Sequence, residues 1–143
     1  MHTVEHMEST TPLPTLFLSH GSPLLALEDS PTGRFLDALG PRLAGARAVL
    51  LASAHDLAPR TRVGAHPAPP TVHDFRGFPS ALDAIRYPAP GDPALAERIV
   101  RALRDAGLDA HTDPSHGLDH GAWVPLRRIF PAADRPVVTL SID

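Results

Sequence analysis

Histidine is the residue type in this chain best suited to chemistry, and two of its nine histidines have matching surroundings. His20 and His55 each follow a short apolar run, residues 13–19 and 47–53, that predicts a buried strand. If these strands are parallel, both imidazoles project from the carboxyl edge of one sheet, where open α/β sheets bind their ligands. Neutral imidazole is a common ligand of iron, zinc, copper and nickel. The pattern therefore predicts a metal site on His20 and His55, with hydrogen bonds to loop backbone as the alternative.

His120 is the third histidine with an informative context, because it lies between Asp119 and Gly121 just before a predicted helix. Asp119 is placed either to cap that helix or to orient an imidazole ring. His120 is therefore a candidate third metal ligand or general acid/base, and a surface-loop histidine is the alternative.

Two further histidines are weaker candidates, and both lie in loops. His73 opens a long central loop beside Asp74, where it could bind substrate or brace the loop by a hydrogen bond, and bracing is the preferred interpretation. His116 is a helper of the same kind. The remaining histidines have no supporting context and are predicted to be solvated: His2, His6, His66 and His111.

The composition excludes several other chemistries. The chain has 143 residues without Cys, Lys, Asn or Gln, and all 13 basic residues are Arg. Thiolate nucleophiles, disulfides, lysine Schiff bases and a P-loop are therefore excluded. A net charge of −3 does not provide the excess positive charge that would attract nucleic acid or an anionic membrane. No apolar run approaches the roughly 18 residues of a membrane-spanning helix, the N-terminus does not resemble a signal peptide, and a cytoplasmic location is expected.

The order of the predicted elements favours an α/β fold. Residues 1–12 lack periodicity and are predicted to be a flexible tail. A helix is predicted to begin after Ser30, to bury Phe35, Leu36 and Leu39, and to end at Gly40. Because it connects two apolar runs, the strand–helix–strand order predicts a parallel pair and a partly parallel central sheet flanked by helices.

The second half of the chain begins with a Pro- and Gly-rich stretch, residues 59–90, that predicts a long loop. A helix with an apolar stripe follows Asp92 and ends at Gly107, and a second helix is predicted at residues 123–130. Residues 136–142 predict a buried strand. Because the chain stops there with nothing to cover the far face of the sheet, an incomplete domain is expected.

Five segments in this order resemble the class III extradiol ring-cleavage dioxygenases, and among them the DOPA extradiol dioxygenase branch. The segments are Ser-His-Gly-Ser-Pro at 19–23, Ser-Ala-His at 53–55, His-Asp-Phe-Arg-Gly-Phe-Pro at 73–79, Tyr-Pro-Ala-Pro-Gly at 87–91 and Gly-Leu-Asp-His-Gly-Ala-Trp at 117–123. The resemblance implies that residues 13–143 are the N-terminal part of a single catalytic domain. Members of the family continue for roughly another hundred residues, which carry a further metal ligand.

The resemblance also implies roles for individual residues. His20 and His55 match metal-ligand positions for Fe(II) or Zn(II), and His120 matches the acid/base that acts on a catechol in the reaction with O2. The expected substrate-binding or supporting residues are His73, Asp74, Asp119 and His116. Asp56 and His116 depart from the residues of many relatives, which would change the shape of the pocket.

Two alternatives to a catechol dioxygenase stay open. One is a zinc-binding α/β protein that uses its metal for hydrolysis or for structure. The other is an inactive fragment, because a stable site usually needs three or more protein ligands and two histidines hold a metal poorly. Weak metal retention is therefore expected for the 143-residue chain.

Overall fold

The computed structural model describes residues 13–142, which form a four-stranded sheet with helices on both faces. The elements are a 3-10 helix Pro23–Ala26, α1 Pro31–Arg42, β1 Val49–Leu57, β2 Thr61–Gly64, α2 Pro93–Asp105, β3 Ala110–Asp113, α3 His120–Ile129 and β4 Val137–Ile142. The strand order is β1-β4-β2-β3. The β1/β4 and β2/β3 pairs are parallel and the β2/β4 pair is antiparallel. The predicted α/β class with a partly parallel sheet is confirmed, whereas the predicted tail at 1–12 lies outside the described residues.

The helices begin where their capping residues predict. The Ser30 side chain accepts a hydrogen bond from the N–H of Gly33, and a proline follows it at the first position of α1. Asp92 caps α2 in the same way, again with a proline next in sequence. Gly107 follows α2 with a φ of +85°, a left-handed conformation that favours glycine. No helix in residues 13–142 is long and apolar enough to cross a bilayer.

Helix α1 differs from the prediction in two details. It continues past Gly40 to Arg42, and Phe35 is exposed rather than packed inward. Gly40 is a contact position and not a terminator: a Cβ atom there would lie 2.2 Å from the carbonyl oxygen of Ile129 in α3. The absence of a side chain at Gly40 therefore lets the two helices approach each other through their backbones.

The predicted strand at residues 13–19 is wrong. These residues are irregular, and Phe17 is fully exposed, although Leu18 packs against the core. No described strand lies beside them to pair with their backbone groups, and an apolar run without such a partner does not form a strand. The parallel partner of β1 is β4, so the predicted strand–helix–strand pair does not form.

Two short strands were missed in segments predicted as connections. Strand β2 lies within the Pro- and Gly-rich stretch and pairs with β3, with Thr61 opposite Ala110. Each has four residues, too few for alternation to be recognised. Helix α3 begins at His120, three residues earlier than predicted, and buries the expected side chains Trp123, Leu126, Ile129 and Phe130.

The two faces of the sheet are covered unequally. Helices α1 and α3 enclose the larger core on one face, and α2 packs against β2, β3 and β4 on the other. The expectation of an uncovered far face is therefore wrong for these three strands. It holds for β1, the edge strand, where Leu50 and Leu57 are 53% and 64% exposed. The outer edge of β1 has no partner strand within residues 13–142.

Candidate functional site

Three histidines from distant parts of the chain meet beside β1. One ring nitrogen from each of His20, His55 and His120 lies within 4.8 Å of the other two. The Nε2 atoms of His20 and His55 are 3.0 Å apart. The ring of His120 lies 4.0 Å from that of His55 and 5.0 Å from that of His20, measured between centroids. We call these three residues the histidine cluster.

Each member of the cluster is positioned by a different kind of backbone. His20 precedes Gly21, whose φ of +59° turns the chain into the 3-10 helix. The strand predicted at residues 47–53 is present as β1 but continues to Leu57, so His55 lies within it, near its carboxyl end, rather than after it. His120 is the first residue of α3. His20 does not follow a strand, so the predicted arrangement of two histidines on two parallel strands is wrong, although the two rings do meet.

A bulge in β1 sets the position of His55. Ala52 lies opposite Leu140 of β4, and the next paired residues are Leu57 and Ile142. Between these two pairs, β1 advances by five residues and β4 by only two. The bulge in β1 therefore contains three extra residues. Bulges locally disrupt a ladder and redirect side chains, and they are common beside active sites.

Asp74 holds His120 at two points. Its Oδ1 atom accepts a hydrogen bond from the backbone N–H of His120 at 3.0 Å and lies 2.8 Å from the ring Nδ1. Burial by itself raises the pKa of Asp74, but the two bonds from His120 outweigh it and hold that pKa below its usual value. An ionised carboxylate only accepts, so Nδ1 of His120 is the donor, and the neutral ring carries its lone pair on Nε2.

Asp119 connects α3 to β1. It caps α3 by accepting from the N–H of Ala122, which confirms the capping role predicted for it. The same Oδ1 atom accepts a 2.7 Å hydrogen bond from the hydroxyl of Ser53, and that hydroxyl accepts from the N–H of His55. A Cβ atom on Gly121 would lie 2.5 Å from the Ser53 hydroxyl and 3.0 Å from the His55 ring. A side chain at position 121 would therefore displace the groups that α3 brings against the bulge.

The electrostatics around His20 favour its neutral imidazole. Burial lowers the pKa of His20, and the neighbouring His120 and His55 lower it further. The Nδ1 atom of His20 and the Oδ2 atom of Asp119 are buried without a hydrogen-bond partner among the described residues. Neutral imidazoles are the form that binds metals.

The donor set fits a divalent transition metal. In common coordination geometries, two nitrogen ligands that each lie about 2.0–2.2 Å from one metal ion are roughly 3.0–3.4 Å apart. The Nε2 atoms of His20 and His55, 3.0 Å apart, match that separation. His120 supplies a third nitrogen, with Asp74 as the carboxylate that orients its ring.

An aromatic wall borders the cluster. The ring of Phe75 meets that of His120 edge to face, with centroids 5.7 Å apart, and Phe78 packs against Phe75 at 5.5 Å. Nε2 of His73 lies 3.1 Å from the carbonyl oxygen of Ile85, which is a bracing contact. Phe75, Ser53 and Gly121 were not singled out from the sequence. The sequence feature that could have identified them is that they lie in the same short segments as the cluster histidines and Asp74.

The other histidines lie elsewhere. His116 does not join the cluster: its Nε2 lies 3.1 Å from Oδ2 of Asp56, which also pairs with Arg62. His66 and His111 are half-buried, so their predicted solvation is wrong. His111 lies in β3 with its Nδ1 enclosed, and Nδ1 of His66 accepts from the N–H of Ala68. His2 and His6 lie outside the described residues.

Comparison with known proteins places the chain in a family. Residues 14–143 match the family described as LigB, the catalytic LigB subunit of aromatic ring-opening dioxygenase. The chain is 46% identical over 135 residues to "4,5-DOPA dioxygenase extradiol" of Escherichia coli (strain K12), covering 94% of this chain and 49% of that protein. It is 42% identical over 133 residues to "4,5-DOPA dioxygenase extradiol" of Beta vulgaris, covering 90% of this chain and 50% of that protein.

A solved structure shares the fold. An uncharacterised protein from Escherichia coli K12 matches with a TM-score of 0.63 and 38% identity, over 82% of this chain and 42% of that one. The chain thus spans about half the length of the relatives it matches. Since the family model matches almost the whole chain, the chain belongs to the LigB family of catalytic subunits of aromatic ring-opening dioxygenases.

Proposed function

We propose that the protein is an extradiol ring-cleavage dioxygenase for catechols of the DOPA type, with O2 as co-substrate. The observation that carries the proposal is the histidine cluster, in which one imidazole is held by a carboxylate. The names of the 46% and 42% identical relatives support the reaction and the substrate class.

His20 and His55 are the proposed metal ligands, because their Nε2 atoms face each other at 3.0 Å. The proposed metal is Fe(II), with Zn(II) as the alternative. When bound, a non-haem Fe(II) supplies open positions for the diol and O2 and lowers the pKa of the diol hydroxyls.

His120 is the proposed acid/base. Asp74 fixes the ring with Nδ1–H as the donor, so Nε2 is free to take a proton from a catechol hydroxyl and return it. The same carboxylate stabilises the positive charge that the ring carries while it holds the proton. Phe75, edge-on to His120, offers an apolar surface for the flat catechol ring.

The described residues supply part of such a site. We propose that residues 13–143 are the N-terminal part of a single catalytic domain. This is supported by the coverage of about half of each relative. A site with two ligand histidines and a third engaged as acid/base holds its metal weakly, so the chain alone should lose zinc or iron on desalting. Stoichiometric metal retained after desalting would contradict this assignment of His120.

The test of the reaction is catechol ring opening at excess Fe(II) in air, where mass action keeps a weakly held metal loaded. We expect a yellow ring-opened product from DOPA. His55→Ala should abolish product formation and His120→Ala should slow it by 10²–10⁴-fold, on the order of a lost general acid/base. His66→Ala, which removes a histidine outside the cluster, should retain the rate. No absorbance change with any catechol would overturn the proposal.

A zinc-dependent hydrolase is the second candidate, and the histidine cluster itself is the observation that favours it. Three histidines around one ion form a known catalytic zinc site with a metal-bound water as nucleophile. Zinc-loaded protein is therefore assayed with an activated ester such as nitrophenyl acetate. Ester cleavage lost in His120→Ala, together with no catechol cleavage, would favour this candidate over the dioxygenase.

A further inference from the structure

We propose that Asp56, Arg62 and His116 form a positioning clamp that fixes the β1 bulge and thereby the direction of the His55 ring. The proposal rests on the proposed function only in giving His55 a metal to bind. None of the three clamp residues belongs to the histidine cluster.

The first observation is the burial of Asp56, which follows His55 directly. Its side chain is 1% exposed, yet it is a carboxyl group beside the least regular part of the strand. A carboxylate buried this deeply is costly unless it is paired. An apolar side chain would fill the same position at lower cost, so the charge points to a requirement for a defined geometry.

The second observation is that the partners of Asp56 come from two other elements. The guanidinium of Arg62 in β2 pairs with Oδ1 of Asp56, and Nε2 of His116 lies 3.1 Å from its Oδ2. Arg62 is itself anchored, because its backbone N–H donates to the Ser141 hydroxyl and its Nε lies 3.8 Å from Oδ2 of Asp113. Asp56 is therefore bonded to β2 through Arg62, and His116 in the loop before α3 lies against its other oxygen without forming a hydrogen bond to it.

The third observation is the lack of support from the ladder itself. Between Ala52 and Leu57 no residue of β1 is in register with β4, so the three extra residues take their position from side chains. Ser53 holds one end of the bulge through Asp119, and Asp56 holds the other end. His55 lies between these two anchors, so loss of the Asp56 anchor leaves its ring free to turn.

The test uses the metal-free chain first. In Asp56→Asn, the His55 ring should give a second set of signals or broadened signals in spectra of ¹⁵N-labelled histidine, where the parent gives one set. Arg60→Met is the matched control, because Arg60 forms an exposed pair with Asp109 that does not touch the bulge. The control should keep one set of His55 signals.

A double variant separates positioning from general stability. Asp56→Leu with Arg62→Met replaces the ion pair by apolar side chains, a change that often preserves stability. If the clamp positions His55, this variant unfolds at a temperature near that of the parent but still shows the disordered His55 ring. A single ordered His55 ring in both Asp56→Asn and the double variant would overturn the proposal.

Cobalt binding gives the second readout, from the absorption of Co²⁺ added alone. Changes beside a ligand typically cost 10–100-fold in metal affinity, and we expect a loss of that order for Asp56→Asn and none for Arg60→Met. If the parent chain binds no Co²⁺ at millimolar concentration, the proposed metal site fails. In that case the His55 ring signals alone test the proposed clamp.

Discussion

Oδ1 of Asp74 accepts from both the backbone N–H and the ring Nδ1 of His120, so one oxygen sets the start of α3 and the orientation of an imidazole. We expect Asp74→Ala to remove the downfield ring N–H signal of His120 in NMR spectra. It should also cost about 1–3 kcal/mol of stability, because the N–H groups of the buried His120 lose their acceptor. Asp74→Asn keeps an acceptor oxygen and should retain the signal. Loss of the signal in both variants would show that charge, rather than acceptor geometry, holds the ring.

Tyr87 should give this protein an alkaline stability limit. Burial raises the pKa of Tyr87 to about 12, with Asp134 adding to the effect, and its hydroxyl donates to the carbonyl of Phe130. A free tyrosine titrates near 10. Its stabilising contribution is therefore complete below about pH 10 and is lost as pH rises towards 12, by up to about 1.4 kcal/mol per pH unit.

A spectroscopic titration can follow Tyr87 by itself, because Tyr87 is the only tyrosine and the chain has no lysine. Absorbance of tyrosinate at high pH then reports this side chain alone. Native protein should titrate near 12 and unfolded protein near 10. Tyr87→Phe should have a flatter dependence of unfolding free energy on pH between these values. A native midpoint close to 10 would contradict the enclosure of the hydroxyl.

Gly40→Ala should destabilise the packing of α1 on α3. The added Cβ would lie 2.2 Å from the carbonyl oxygen of Ile129, so backbone must move, at a cost of about 1–3 kcal/mol. Gly45→Ala is the matched control, because its Cβ would meet nothing within 4 Å. Urea unfolding of both variants measures the difference, and equal midpoints would mean that the helices separate at little cost.

Gly121→Ala should disturb the site more than the fold. The new Cβ would lie 2.5 Å from the Ser53 hydroxyl and 3.0 Å from the His55 ring, and both side chains can move. We expect a loss of Co²⁺ affinity of at least about tenfold, as for other changes next to ligands, with a smaller effect on the urea midpoint. Unchanged affinity would show that Ser53 and His55 adapt without consequence for the metal.

Helix starts and long apolar strands were predictable because their signals are local. Ser30 and Asp92 each act within three residues of their own position, and four of the six residues of β4 are Val, Leu or Ile. Residues 13–19 carry the same kind of run yet form no strand, because pairing depends on a neighbour elsewhere in the chain. Strand β2 was missed because its four residues form a strand only by pairing with β3, almost fifty residues away.

The sequence predicted which histidines form the cluster better than it predicted the backbone that brings them together. His20 and His55 stood out because each follows an apolar run, and His120 because it precedes a predicted helix; the resemblance proposed their roles. The bulge of β1 left no sequence signal, because its three extra residues are counted only against β4. The Asp56 contacts with Arg62 and His116 likewise join residues that nothing in the sequence pairs.

The outer edge of β1, which has no partner strand among the residues that the structure describes, has a consequence for the surroundings of the histidine cluster. His55 is exposed on the strand whose side chains Leu50 and Leu57 are also exposed. A strand added along β1 would pair with the backbone groups of this edge and would lie beside His55. Any effect of such a strand on metal binding at His55 would be matched by an equal effect of the metal on strand addition.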